Sequence, residues 1–169
     1  RDSYLIATKW SYQLAEGIVT DPDVIIRSLE RSLERLNTDY VDIFQIHDVL
    51  PEDYDQVAEI YVPTMQRLKE QGKTRFLGVT EMLPKDPKHE GMSVAIQRDP
   101  DIWDSVMLKY GIMNQWAAKN ALPAAVDSSI GVLNMAPVRL TLTRPEKLNE
   151  RMTEWGEDSG GNALDWLSG

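Results

Sequence analysis

Cysteine is absent from the 169 residues. That excludes disulfides, thiolate nucleophiles and cysteine zinc sites, and it is compatible with a reducing, cytoplasmic setting. Histidine is nearly absent too. His47 and His89 are distant in sequence and form no His-x-His pattern, so no metal site is expected. Positive charge is scarce: 18 Lys and Arg face 27 Asp and Glu, for a net charge of −9. This argues against nonspecific nucleic-acid binding, which needs a basic surface. No apolar run approaches the roughly 20 residues needed to span a bilayer. Arg1-Asp2 leads straight into a strand-like run, so neither a signal peptide nor a membrane partner is expected. No Gly-x-Gly-x-x-Gly or phosphate-loop motif occurs, which counts against a Rossmann domain or a nucleotide triphosphatase.

What is present is regular. Hydrophobic residues make up 42% and charged residues 27%, proportions that suit one soluble domain with a real core. Residues 3–8 read as a buried strand. Thr20 or Asp21 offers a helix cap, Pro22 suits a first turn, and Ile25, Leu29, Leu33 and Leu36 follow at helical spacing up to Asn37. Val41 to Ile46 is a second strand. Val57, Ile60, Tyr61, Thr64 and Leu68 mark a helical face that Gly72 would close, with a kink or restart expected at Pro63. Strands are expected at 75–80, 103–110 and 130–135. Helices are expected at about 88–98, at 115–126 with an interruption at Pro123, and from Pro145 to about Trp155. A short apolar cluster, Leu164, Trp166 and Leu167, closes the chain.

Strand–helix alternation predicts a parallel sheet with right-handed crossovers. The continuous apolar strands imply that both faces are covered. Doubly wound sheets and closed barrels share this local pattern, so periodicity alone leaves both open.

Two strands end on an ionisable residue: Tyr4-Leu-Ile-Ala-Thr-Lys9 and Val41-Asp-Ile-Phe-Gln-Ile-His47. In an α/β barrel, residues at the C-terminal ends of strands face the active site. The stretch from Ser28 to Asp48 resembles the helix and strand that deliver the catalytic histidine of the aldo-keto reductases. Leu68 to Thr80 resembles that family's helix–turn–strand leading into a cofactor loop, and Ile130 to Val138 its seventh barrel strand. The resemblance runs from about Tyr4 to Trp155.

This resemblance implies an α/β fold of the (β/α)8 TIM-barrel type, present as a partial barrel of about five parallel strands, numbers three to seven. It implies a single domain over 1–169 with strands one, two and eight outside it. It implies a cytoplasmic NADP- or NAD-dependent oxidoreductase acting on a small carbonyl or sugar substrate. By position, Lys9 matches the lysine that lowers the pKa of the family's proton-donating tyrosine, and His47 the histidine that orients the carbonyl. The tyrosine and the aspartate that pairs with the lysine would lie upstream of Arg1. Thr80 and Glu81 stand where the family usually has the Ser-Asn pair that holds the nicotinamide carboxamide. Met107 replaces a common glutamine, and Met135 and Ala136 stand where many members place an aromatic over the nicotinamide ring.

Other residues read more plainly. His89 reads as a surface residue in a Lys-rich segment, Glu52, Asp53 and Asp55 as loop solvation, and Trp103, Trp116 and Trp155 as core or interface. The main alternative function is a noncatalytic barrel-derived binding or assembly module, whose exposed sheet edges would favour homo-oligomers. A doubly wound ligand-binding domain is a third reading.

Overall fold

The computed structural model describes residues 3–14, 17–112, 114–137 and 140–159, in two compact units, 1–135 and 136–169. The first unit is built on β1 (Ala7–Ser11), the hairpin β2 (Gln13–Leu14) and β3 (Gly17–Ile18), α1 (Asp23–Leu36), β4 (Val41–Val49) and α2 (Tyr54–Glu70). There follow β5 (Thr74–Glu81), α3 (Glu90–Arg98), β6 (Ser105–Leu108), a 3-10 turn (Trp116–Lys119), α4 (Ala121–Asp127) and β7 (Gly131–Asn134). The second unit holds α5 (Leu140–Thr143) and α6 (Pro145–Ser159). Leu164, Trp166 and Leu167 lie outside the described residues.

Five strands form one parallel sheet in the order β1-β4-β5-β6-β7. Each new strand is added on the same side as the last. Right-handed crossovers then place every connecting helix on one face. A doubly wound sheet needs a reversal of strand order, so that reading is overturned, and the arrangement is an arc of barrel wall. The covered face carries the apolar core: Trp10, Phe44, Ile46, Leu77, Val79 and Val106 pack with Ile25, Leu29, Tyr61, Met65, Met92 and Ile96 of the helices.

Local chemistry sets the element ends. The Asp21 carboxylate accepts the Asp23 N–H at 3.0 Å and caps α1. Asn37, in the left-handed region at φ 50°, ends α1: its N–H donates to the Glu34 carbonyl while the Thr38 N–H reaches Leu33. Gly72 (φ 75°) ends α2 in the same way, as the sequence predicts.

Several expectations need correction. The first strand starts at Ala7, later than expected, because the Ile6 N–H is taken by the Asp42 carboxylate (2.8 Å) before the ladder begins. Leu36, the last residue of the apolar stripe of α1, is exposed. Pro63 neither breaks nor restarts α2. It lies on the exposed face, as does Glu59, whose carbonyl loses its helical donor and can turn to water. The 115–126 helix is divided at Asn120 rather than Pro123, since the Asn120 side chain caps α4 through the Ala121 N–H.

Candidate active site

Register and alternation decide which side chains share the inner face of the sheet. Lys9 pairs with Gln45, Gln45 with Gly78, Gly78 with Ser105 and Ser105 with Gly131, giving one row. Toward the C-terminal ends, the next row holds Ser11 and His47, then Thr80, Met107 and Leu133. The rows are close-packed at Gly78. A Cβ there would lie 2.5 Å from the Ser105 hydroxyl, 2.8 Å from the Ser105 carbonyl and 3.1 Å from Gln45 Cγ.

An extra residue enters β4 between the rows. Ile46 pairs with Val79, but Val49 pairs with Glu81, so three steps on β4 match two on β5. Asp48 absorbs the bulge at φ 61°, a conformation aspartate tolerates better than most residues. Its N–H, lost to the ladder, donates to the Thr80 hydroxyl at 3.0 Å. No sequence signal marks this bulge.

Lys9 and His47 are brought to the same face on adjacent strands. The Lys9 ammonium lies 3.6 Å from the Met107 sulfur. His47 Nδ1 lies 3.2 Å from the Asp48 carboxylate. Burial draws the His47 pKa below its ordinary value; Asp48 opposes this, and the charges of Lys9 and Lys109 reinforce it. A carboxylate only accepts, so Nδ1 carries the ring proton, and Nε2 of the neutral imidazole is left as an acceptor. As placed, His47 suits a hydroxyl proton better than a carbonyl lone pair. Lys9 supplies the donor for an oxygen.

The expected carboxamide pair is committed elsewhere. Thr80 is fully buried on the Asp48 N–H. Glu81 is fully buried, paired with His89 and accepting the Lys109 N–H at 2.7 Å. Neither side chain, as placed, fits the task of holding a nicotinamide carboxamide. Met107 is half-buried beside Lys9. Met135 is half-buried and tied through its N–H to the Leu108 carbonyl. Ala136 opens the second unit at φ 49°.

His89 is not a surface residue: it is as buried as Glu81, and its Nε2 lies 3.2 Å from the Asn114 amide oxygen. Its polar, Lys-rich neighbours conceal this in the sequence. Asp53 does more than solvate a loop. It accepts from the Tyr12 hydroxyl at 2.8 Å and the Gln13 amide at 2.7 Å, clasping the chain after β1 to the loop after β4. Burial and this bond push the Tyr12 phenol far above the ordinary tyrosine range, so Tyr12 is no stand-in for a catalytic tyrosine. Asp55 pairs with Arg98 at the surface. Trp103 is core, its indole N–H donating to Tyr54, whereas Trp116 is exposed between Lys88 and Lys119. Among the described residues no group of three or more acidic or histidine side chains could hold a metal ion, and no helix is long and apolar enough to cross a membrane.

The profile of the aldo/keto reductase family matches residues 1–163. The chain belongs to this family. It is 34% identical over 145 residues to an L-galactose dehydrogenase of Arabidopsis thaliana, a match covering 84% of this aldo/keto reductase chain and 43% of the plant protein. It is 25% identical over 157 residues to an L-glyceraldehyde 3-phosphate reductase of Escherichia coli K12, covering 88% and 43%. Among solved structures, a thermostable aldo-keto reductase in complex with epalrestat superimposes with a TM-score of 0.67 at 25% identity, over 96% of this chain and 55% of that one. The holo form of a Bacillus halodurans aldo-keto reductase gives 0.63 at 22% identity, over 82% and 44%, a likeness of fold. The chain spans less than half the length of the curated relatives it matches.

Proposed function

We propose that this aldo/keto reductase chain carries the oxygen-handling part of a site that interconverts an aldehyde, ketone or aldose and its alcohol with NADPH or NADH. The observation that carries the reading is the convergence of Lys9 and His47 from paired strands on one face of the sheet. In the alcohol direction, the neutral His47 Nε2 accepts the hydroxyl proton while the Lys9 ammonium stabilises the negative charge growing on oxygen. In the carbonyl direction the same pair returns a proton. The family generally uses NAD(P)H, and the relatives' names, an L-galactose dehydrogenase and an L-glyceraldehyde 3-phosphate reductase, support an aldehyde or aldose as the substrate class.

The test is a fluorescence titration of the chain with NADPH and NADH, with its mass in solution measured alongside. Saturable binding that disappears in a Lys9→Ala, His47→Ala double variant supports the reading. A folded chain that binds neither cofactor overturns it for this chain.

A second reading has its own support. Glu81, where a carboxamide ligand is expected, is consumed by His89 and the Lys109 N–H. That suits a noncatalytic module that keeps the wall of the barrel and associates through the outer edges of β1 and β7, each paired on one side only among the described residues. A concentration-dependent mass together with absent cofactor binding would favour it.

A further inference from the structure

Neighbouring residues of a regular strand point to opposite faces, so a straight β4 would put the sheet between the side chains of His47 and Asp48. They meet instead. Asp48 Oδ2 lies 3.2 Å from His47 Nδ1, because the bulge breaks the alternation between them. The left-handed backbone of Asp48, at φ 61°, is unusual for a residue with a side chain, and several contacts hold it. The Asp48 N–H donates to the Thr80 hydroxyl at 3.0 Å. The Asp48 carbonyl lies 3.3 Å from the Tyr12 hydroxyl, which also accepts the Leu50 N–H at 3.3 Å. Thr80 and Tyr12 are both fully buried, and Asp53 anchors the Tyr12 phenol at 2.8 Å. Groups from β5, from the chain after β1 and from the loop after β4 thus converge on one bulge. What that bulge delivers is one carboxylate seated on one imidazole. Backbone outliers of this kind collect at working sites, where the surroundings hold what the chain alone would not.

We propose that Asp48 is a positioning residue: the bulge turns its carboxylate onto His47, so that the ring keeps its proton on Nδ1 and presents Nε2 to the substrate hydroxyl. The assignment rests on the reading of His47 given above. It gives Thr80 and Tyr12 a part in the site as well as in the fold, since they hold the bulge. Glycine adopts φ 61° without steric cost, so Asp48→Gly removes the carboxylate and keeps the bulge. Asparagine also tolerates this region and keeps an acceptor oxygen without the charge.

The test follows the ring-nitrogen NMR signals of His47 through a pH titration of the chain, without cofactor or substrate. In wild type the neutral ring should be mainly the Nδ1–H form. Asp48→Gly should cut the share of that form to about half or less. It should also lower the protonation midpoint, since the Asp48 charge favours the imidazolium, while the charges of Lys9 and Lys109 act on His47 in every variant alike. Asp48→Asn should restore the Nδ1–H form but not the midpoint. Thr80→Val, which strips the Asp48 N–H of its acceptor, should move the tautomer in the direction of Asp48→Gly. A neutral ring that is mainly Nε2–H in wild type overturns the proposal, as does a tautomer share that Asp48→Gly leaves unchanged. A tautomer that depends on Asp48 in a folded chain that binds neither NADPH nor NADH keeps the positioning and removes the reductase reading. Saturable cofactor binding with a tautomer indifferent to Asp48 does the reverse.

Discussion

Glu81 and His89 each have no exposed surface, yet both carry groups that ionise. Their pairing, with Lys109 and Asn114 completing the contacts, ties the ends of β5 and β6 to the start of α3. Removing one partner strands the other's polarity in the interior, so His89→Ala should cost about 3 kcal/mol or more in urea unfolding. Burial alone pulls the His89 pKa down, but the bond and charge of Glu81 outweigh it, and the net direction is up. A raised folded-state pKa means the pair's stabilisation is complete below the unfolded histidine value of about 6.5. It is lost as pH rises through the folded value. The urea midpoint of the wild type should therefore fall, relative to His89→Gln, as pH rises above about 6.5. Parallel curves for the two proteins would show that the imidazole carries no such coupling. His47 behaves oppositely. Lys9→Ala should raise its NMR-measured pKa, and an unmoved titration would mean the two side chains do not share a face.

Among the elements, β5 is tightly constrained, because Gly78 lets its neighbours close over it. A methyl group at this position meets the Ser105 carbonyl, which is backbone and cannot rotate away. Gly78→Ala should destabilise the chain by about 1–3 kcal/mol. It should also disturb His47, two positions beyond Gln45 in the neighbouring strand. An unchanged urea midpoint would indicate that β6 moves aside freely. Most of this level was legible in the sequence. The five strands are recoverable because each is a short apolar run bounded by turn chemistry, and α1 and α2 because their apolar residues keep helical spacing. The bulge at Asp48 was not legible, since it depends on how β4 and β5 slip against each other. Nor was the burial of His89, because a lysine-rich neighbourhood says nothing about one carboxylate brought up from β5. Lys9 and His47 could be found because each ends an apolar strand.

For the sheet as a whole, carboxylates clamp the N-terminal end. At the N-terminal end, buried Asp42 accepts from the Ile6 N–H and Arg75, and Asp104 from the Leu77 N–H and Lys69. At the C-terminal end stand Lys9 and His47, with Asp48 and Glu81 close by. The first set fastens neighbouring strands, and Lys9 and His47 share the inner face. Asp42→Asn should therefore lower stability by roughly 1.5–3 kcal/mol, the worth of hydrogen bonds to a charged group, while leaving the His47 titration unchanged. A shift of His47 in that variant would show that the ends are not independent.

The order of the strands also bears on how the chain is made. Ala7 meets Ile43, Val41 meets Thr74, Gly78 meets Ser105, and Ser105 meets Gly131. Every pairing joins a strand to the sheet strand synthesised just before it, across a few tens of residues. Among the five described strands of the sheet, none has to wait for a distant partner. A ribosome emitting this chain could see the wall laid down plank by plank, each new strand docking on the growing edge as it emerges.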